Sequence, residues 1–472
     1  MIEKVRENKV MKKVLEFIES DKFIFFATFL TILSNAFSLE FFAWGVAFTV
    51  GVITILFSKD LRAVLPITLL ACFCVSRVNN TKGVSSMVYV KPEDRYFLLE
   101  DPKGYITVAV LGGILAVLLL IRLFVLKDIK KIIAKKHNFK FAILSLSLAV
   151  LTGGLTIKYF SFFNLKQAVI LMISYSVMYF LLLGTIDFKN IDFSYFAKFF
   201  ASFTLIASFA VLVVIIGYSE EVFTVMDGVK MLARGTLGTG WGAPNTIGLL
   251  YCLGLPFLYY LAIKGKNGYL YIIYTIITYL ITALTLSRMT ILFGAVIILT
   301  GFIILLIKGK ERLKNLITIG VIFITIVVLG IIFFDKIADL ITKLIDAGFN
   351  LSGRKELLKK GFELFKKSPI LGVGYAGIDI SNGFNLYGSF HNIIMEIMVT
   401  SGIVGLILLI YHFVLVFLRL IKYKTEGSLT ILFAILILIA FSLVDRFFFV
   451  PALAIFYSVF LTLGDAYGKK EE

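Results

Sequence analysis

"ITALTLSRMTILFGAV", residues 281–296, decides the fold. Two apolar runs meet at a Ser-Arg pinch, and Arg288 is the single charged residue between Lys266 and Lys308. A run of that length with one charge has no face to offer water. It reads as two membrane-crossing helices joined by a tight turn. The same texture extends in both directions: hydrophobic residues are 59% of the 472 positions and charged residues 16%. That balance marks an integral membrane protein.

Apolar windows fall near 23–38, 41–57, 63–76, 105–125, 140–157, 167–186, 197–217, 246–263, 269–286, 289–307, 316–334, 393–421, 428–443 and 451–464. The expected architecture is an all-α, polytopic bundle of about fourteen transmembrane helices, or twelve to thirteen if the short first windows merge or re-enter. The basic N-terminal stretch runs straight into apolar segments without a small-residue cleavage site, which argues against a cleaved signal peptide. Cys72, Cys74 and Cys252 lie inside apolar runs, with neither disulfide nor zinc spacing, and behave as small hydrophobes.

The net charge of +17 is a topology signal. Lys and Arg cluster in "SKDLR", "KDIKKIIAKKHNFK", "KGKNG", "KGKERLK" and "RLIKYKTEG", which alternate between spans, and the rule that basic loops stay inside puts these and both termini in the cytoplasm. No nucleic-acid partner is expected; the bilayer is the surround. The opposite loops, 335–392 the longest, are then extracytoplasmic. By sequence character the chain divides into an N-terminal bundle over 1–217, a second region over 218–464 that includes the 335–392 loop, and a tail over 465–472.

The 335–392 loop keeps basic residues on the side where the rule disfavours them, so some need a local reason. "GRKELLKKGFELFKKSP" can form a helix capped by Ser352 and ended by Pro369. With Arg354 at zero on a wheel of about 100° per residue, Leu358, Gly361 and Phe365 fall within about 40° of it, while Lys359, Glu363, Lys366 and Lys367 fall on the far side. Arg354 is expected to face the protein, with the lysines solvated or against lipid headgroups. Snorkelling, or pairing with a carboxylate, is the plainer alternative for Arg354.

Arg288 lies at membrane depth or edge, where a cation is expensive and by default functional; an interfacial anchor is the alternative. His391, in "GSFHNIIMEIM", stands where the loop enters the next span, and a neutral imidazole there suits general-base work on a hydroxyl. With Asn392 it also fits a plain helix cap and hydrogen-bond pair. In the glycine-rich "MLARGTLGTGWGAPNTIGLL", Arg234 is a candidate ligand contact and Asn245 a helix cap or substrate contact. Glu396 is expected to partner an arginine, and Asp445 with Arg446 to form a structural pair. No metal-ligand spacing, phosphate loop or fixed-period repeat is present.

In their order, "RGTLGTGWGAPN", "LTLSRM", "GRKELLKKGFELFKKSPILGVGYAG" and "FHNIIMEIMVTSGIVGLILLI" resemble the O-antigen ligase and Wzy polysaccharide polymerase family, over about residues 230–410. The resemblance implies a glycosyl transfer without a metal or other cofactor, either extending a polysaccharide or ligating it to a terminal acceptor. The donor would be a glycan on a polyprenyl diphosphate at the outer face of the bacterial inner membrane, and the recipient an acceptor glycan or glycolipid. It implies that Arg288 and Arg354 bind the diphosphate and that His391 is the base or an acceptor-positioning residue; Arg234, Asn245 and Asn392 are the further candidate substrate contacts. A transporter or flippase of lipid-linked oligosaccharide is the competing class, but it calls for charges along a central path and related halves. A membrane scaffold is a third class, and it leaves Arg288 unexplained.

Overall fold

The computed structural model describes residues 2–37, 39–73, 102–125, 129–130, 132, 137–156, 158, 160–217, 223–226, 229–232, 243–335, 338–339, 342, 352–375 and 390–468. Each of the fourteen apolar windows is occupied by helix. The one β element among the described residues is a short antiparallel hairpin, Phe223–Met226 with Val229–Leu232, in the glycine-rich loop region.

Among the described residues, seven helices are long and apolar enough to cross a membrane, from Glu40–Phe57 to Ile393–Tyr423, and six further apolar helices are shorter. Several of the other windows hold, among the described residues, helices short for a span. A helix of 16 residues such as Gly268–Ala283 rises about 24 Å, short of a hydrocarbon layer of about 30 Å.

The chain forms two compact units that interleave along the sequence: residues 1–135 with 182–310, and residues 136–181 with 311–472. In the first, helix Phe193–Gly217 packs along helix Pro244–Lys264. Phe200 stacks on Phe257 with centroids 4.6 Å apart, and Gly254 lets the backbones close, since a Cβ there would stand 2.9 Å from the Phe200 carbonyl. Small residues take this role in membrane bundles because lipid leaves packing as the main attraction between helices. The open carbonyl end of helix Glu40–Phe57 is closed by two arginines. Buried Arg122 donates to the carbonyls of Thr54, Ile55 and Ser58 at 3.1, 2.9 and 3.0 Å, and Arg6 donates to Phe57 at 2.6 Å. Cations at a helix C-terminus satisfy orphan carbonyls and complement the dipole.

In the second unit, helix Lys140–Gly154 packs along Ile393–Tyr423. Buried His412 ties three helices together: Nδ1 donates to the Ala142 carbonyl at 2.6 Å, and Nε2 accepts from the Tyr457 hydroxyl at 2.5 Å. Near the end of Pro451–Tyr467, Asp465 accepts from the Asn138 backbone N–H at 2.7 Å and the Tyr179 hydroxyl at 2.6 Å. A buried carboxylate survives in a core only with such donors.

Helix Ile393–Tyr423 is broken at Gly402, whose φ of 66° and ψ of −161° are not helical. The break is filled by the segment that follows the loop helix Ser352–Lys367. Val373 and Gly374 donate to the Val399 and Thr400 carbonyls at 2.8 and 3.0 Å, and Ile403 and Val404 donate to the Pro369 and Ile370 carbonyls at 2.8 and 3.2 Å. The groups orphaned by the break are thus paired with backbone, which is the condition for irregular chain inside a membrane protein. Glycine is required at each point of closest approach. A Cβ at Gly402 would stand 2.3 Å from the Ile370 oxygen, and one at Gly372 (φ 74°) 2.4 Å from Thr400 backbone atoms. This accounts for "PILGVG" as backbone that must enter a helix.

Candidate active site

His391 and Asn392 form the entrance to helix Ile393–Tyr423. Asn392 is its N-cap: Oδ1 accepts from the Ile394 and Met395 N–H groups, both at 3.0 Å, and Nδ2 donates to the Leu443 carbonyl at 3.0 Å. One side chain therefore starts this helix and fastens it to the end of helix Glu426–Ser442. The residue before the cap, His391, has φ 48°. A non-glycine residue in that region is uncommon, and such conformations gather where a side chain must be aimed.

The imidazole is aimed at Asp445. His391 Nδ1 lies 2.9 Å from Asp445 Oδ1, with the His side chain 45% exposed and the Asp side chain 19%. The Asp445 oxygen also accepts from the Arg446 N–H at 2.8 Å. A carboxylate can only accept, so Nδ1 carries the hydrogen, and in the neutral imidazole Nε2 is the nitrogen that accepts. That is the arrangement of a general base held by a carboxylate. Beneath it, buried Glu396 accepts from the Phe390 N–H at 3.1 Å, with the Arg446 guanidinium as the cation acting on it. The arginine that serves Glu396 is thus Arg446. Asp445, expected from sequence to be structural, is the residue that orients the histidine.

The loop helix Ser352–Lys367 ends two residues before Pro369, as its sequence implies. It packs on the entrance through Gly361, where a Cβ would meet Met395 at 2.5 Å, and through Leu364 and Phe365 against Phe390 and Met395. Leu358, expected on this inward face, is instead exposed. The buried stripe is rotated towards Leu357 and Leu364, because the contact is centred on glycine. Arg354 lies in the first turn of this helix; its side chain, and all of Arg234, fall outside the described residues.

In the first unit, Arg288 is the first residue of helix Arg288–Lys308 and is half-buried. Ser287 caps the helix by accepting from the Thr290 N–H at 3.3 Å, and Leu286 before it has φ 52°. Arg288 and His391 therefore share a local plan, in which a left-handed residue and a polar cap redirect the chain into a helix. A cation at a helix N-terminus has the wrong sign for the dipole. Its charge adds to that of the helix end, so both favour an anion. Asn245 does not cap helix Pro244–Lys264, whose N-cap is Ala243 with Pro244 following. Its Oδ1 accepts from Ser287 Oγ at 2.8 Å, bracing the turn that carries Arg288. Gly248 permits this closeness, as a Cβ there would overlap Thr290.

Among the described residues no group of three or more His, Cys, Asp and Glu could hold a metal ion. His391 with Asp445 was within reach of sequence reasoning, since both stand at the ends of apolar windows expected on one side of the membrane.

No curated protein matches the chain. Residues 273–410, the segment that carries Arg288, Arg354, His391 and Asn392, match the family model Wzy_C, described as O-antigen ligase.

Proposed function

We propose that the protein is a membrane glycosyltransferase. It moves a glycan from a polyprenyl diphosphate carrier to an acceptor hydroxyl, either extending a surface polysaccharide or ligating a glycan to a glycolipid. The observation that carries this reading is the His391–Asp445 pair at 2.9 Å, with His391 inside the segment that matches the family model. The acceptor hydroxyl attacks the anomeric carbon while His391 Nε2 takes its proton. The bond from that carbon to the diphosphate oxygen breaks, and its electron pair leaves with the diphosphate. Arg288 and Arg354 neutralise the leaving group through forked, charge-assisted hydrogen bonds, a geometry lysine cannot reproduce. Attack from the face opposite the leaving group inverts the anomeric centre. Arg234, Asn245 and Asn392 are assigned to substrate, with Asn245 and Asn392 acting through the turns they hold. No cofactor is assigned.

The distribution of Lys and Arg supports a plasma (inner) membrane chain with both termini cytoplasmic, about fourteen spans and the 335–392 segment outside. Residues 218–464 form the transferase region. The test is reconstitution of the purified protein with a polyprenyl-diphosphate glycan and an acceptor. Growing glycan length or a single transfer, with release of the carrier diphosphate, is the expected result. Transbilayer movement of the donor without bond cleavage would overturn the assignment.

A further inference from the structure

We infer that the loop helix Ser352–Lys367 lies along the membrane surface and binds the phosphates of anionic phospholipids, so that it is neither a solvated lid nor a linker. This goes beyond the transferase reading and does not depend on it.

The first observation is depth. Helix Ile393–Tyr423 is broken at Gly402, so its continuous part runs from Ile403 to Tyr423. Its basic end, Arg419 to Lys422, belongs at one boundary of that layer. From Lys422 back to Ile403 the rise is about 29 Å, so the break at Gly402 falls at the opposite boundary. Pro369 and Ile370 are hydrogen-bonded to Ile403 and Val404. The loop helix, which ends at Lys367, is thereby delivered to the membrane surface by backbone bonds.

The second observation is the face it presents there. Gly361, Leu364 and Phe365 are used against the protein. A second apolar strip is left outside: Leu358 at 38%, Phe362 at 50%, and in the following turn Ile370 at 63% and Leu371 at 43% exposure. Leu358 and Phe362 are one helical turn apart, and exposed Lys355, Lys359 and Lys366 lie at about 60° to 100° from Leu358 on the wheel, along the edge of that strip. In water this strip would be an exposed hydrophobic patch. At a bilayer surface the apolar edge enters the acyl boundary and the lysine stems reach back to the phosphates. Exposed Glu356 and Glu363 lie farther round, beyond the lysines, so the edge next to the lipid is purely cationic. That sign selects anionic lipid over zwitterionic lipid.

The experiment uses full-length protein with its three cysteines replaced by alanine and single cysteines introduced by Phe362→Cys, Leu371→Cys and, as controls, Val321→Cys and Lys367→Cys. Spin labels are read for oxygen against aqueous-quencher accessibility in phosphatidylcholine vesicles with and without phosphatidylglycerol. Labels at 362 and 371 are expected to resemble the lipid-facing position 321, and phosphatidylglycerol is expected to deepen them. The wild-type chain is expected to retain phosphatidylglycerol severalfold over phosphatidylcholine by mass spectrometry of the released lipids, a preference lost in Lys355→Gln/Lys359→Gln/Lys366→Gln. Labels at 362 and 371 as open to the aqueous quencher as position 367 would overturn the inference. So would a lipid preference unchanged in the triple variant, or deepening caused by an added polyprenyl diphosphate and not by phosphatidylglycerol.

Discussion

Replacing Gly402 by alanine tests the broken helix directly. The residue sits at φ 66° and ψ −161°, a region that is essentially restricted to glycine, and forcing a side chain into it costs about 1–3 kcal/mol. The added Cβ would stand 2.3 Å from the Ile370 oxygen, 2.4 Å from its carbonyl carbon and 2.7 Å from the Gly372 nitrogen. All three are backbone atoms of the inserted segment, so no side chain can swing away. Relief requires that the segment withdraw, which breaks the bonds from Ile403 and Val404 to Pro369 and Ile370. Each buried group left unpaired costs about 1–3 kcal/mol. Taken with the strain, Gly402→Ala should destabilise the protein by roughly 3–9 kcal/mol. Gly320 is the matched control. It lies mid-helix in Arg312–Ile332 with no atom within 4 Å of a built Cβ, and alanine there should stabilise by up to about 1 kcal/mol through helix propensity. The assay is thermal unfolding of the detergent-solubilised protein followed by size-exclusion recovery. Gly402→Ala that melts and elutes like wild type would refute the account of the break.

Three further outcomes follow from the site. Asp445→Asn should lower kcat about 10–100-fold with the donor KM unchanged, because the amide no longer fixes the His391 tautomer, while His391→Ala should cost about 10²–10⁴-fold; a double variant no slower than His391→Ala alone shows that the two act as one unit. Arg288→Lys should lower transfer about 10–100-fold with little change in unfolding temperature, since it keeps the charge and loses the fork; steady-state kinetics beside a melting curve checks it. Asn392→Ala should destabilise by about 0.5–2 kcal/mol as a lost cap, and Asn392→Asp by less, because aspartate still accepts from Ile394 and Met395 but cannot donate to the Leu443 carbonyl. Apparent melting temperatures rank the three proteins.

The helices were legible because an apolar run leaves a backbone no option but to bond within itself. Arg288 stood out for a related reason, as one charge in an otherwise uncharged stretch. The break at Gly402 was not legible: "VTSGIVG" reads as continuous helix, and only contact with "PILGVG" from upstream shows why glycine is needed. The wheel placed Gly361 and Phe365 correctly, but it put Leu358 inside because it was centred on Arg354, whereas the contact is centred on Gly361. Asn245 looked like a cap from its place after proline, yet Pro244 already starts the helix, which frees Asn245 to brace Ser287. Asp445 was passed over since it adjoins Arg446, and adjacency in sequence suggested a pair. The carboxylate also holds His391, brought beside it when Asn392 joins the two helix ends. The interleaving of the two compact units has no counterpart in composition.

The claim that this chain transfers a glycan with His391 as its base is tested most directly by acceptor-dependent release of polyprenyl diphosphate from a lipid-linked glycan in vesicles. Wild type should release the carrier in proportion to acceptor and form the inverted linkage. His391→Ala should bind the donor as tightly and release about 10²–10⁴-fold less. Release by His391→Ala at the wild-type rate, or a product with retained anomeric configuration, would contradict it.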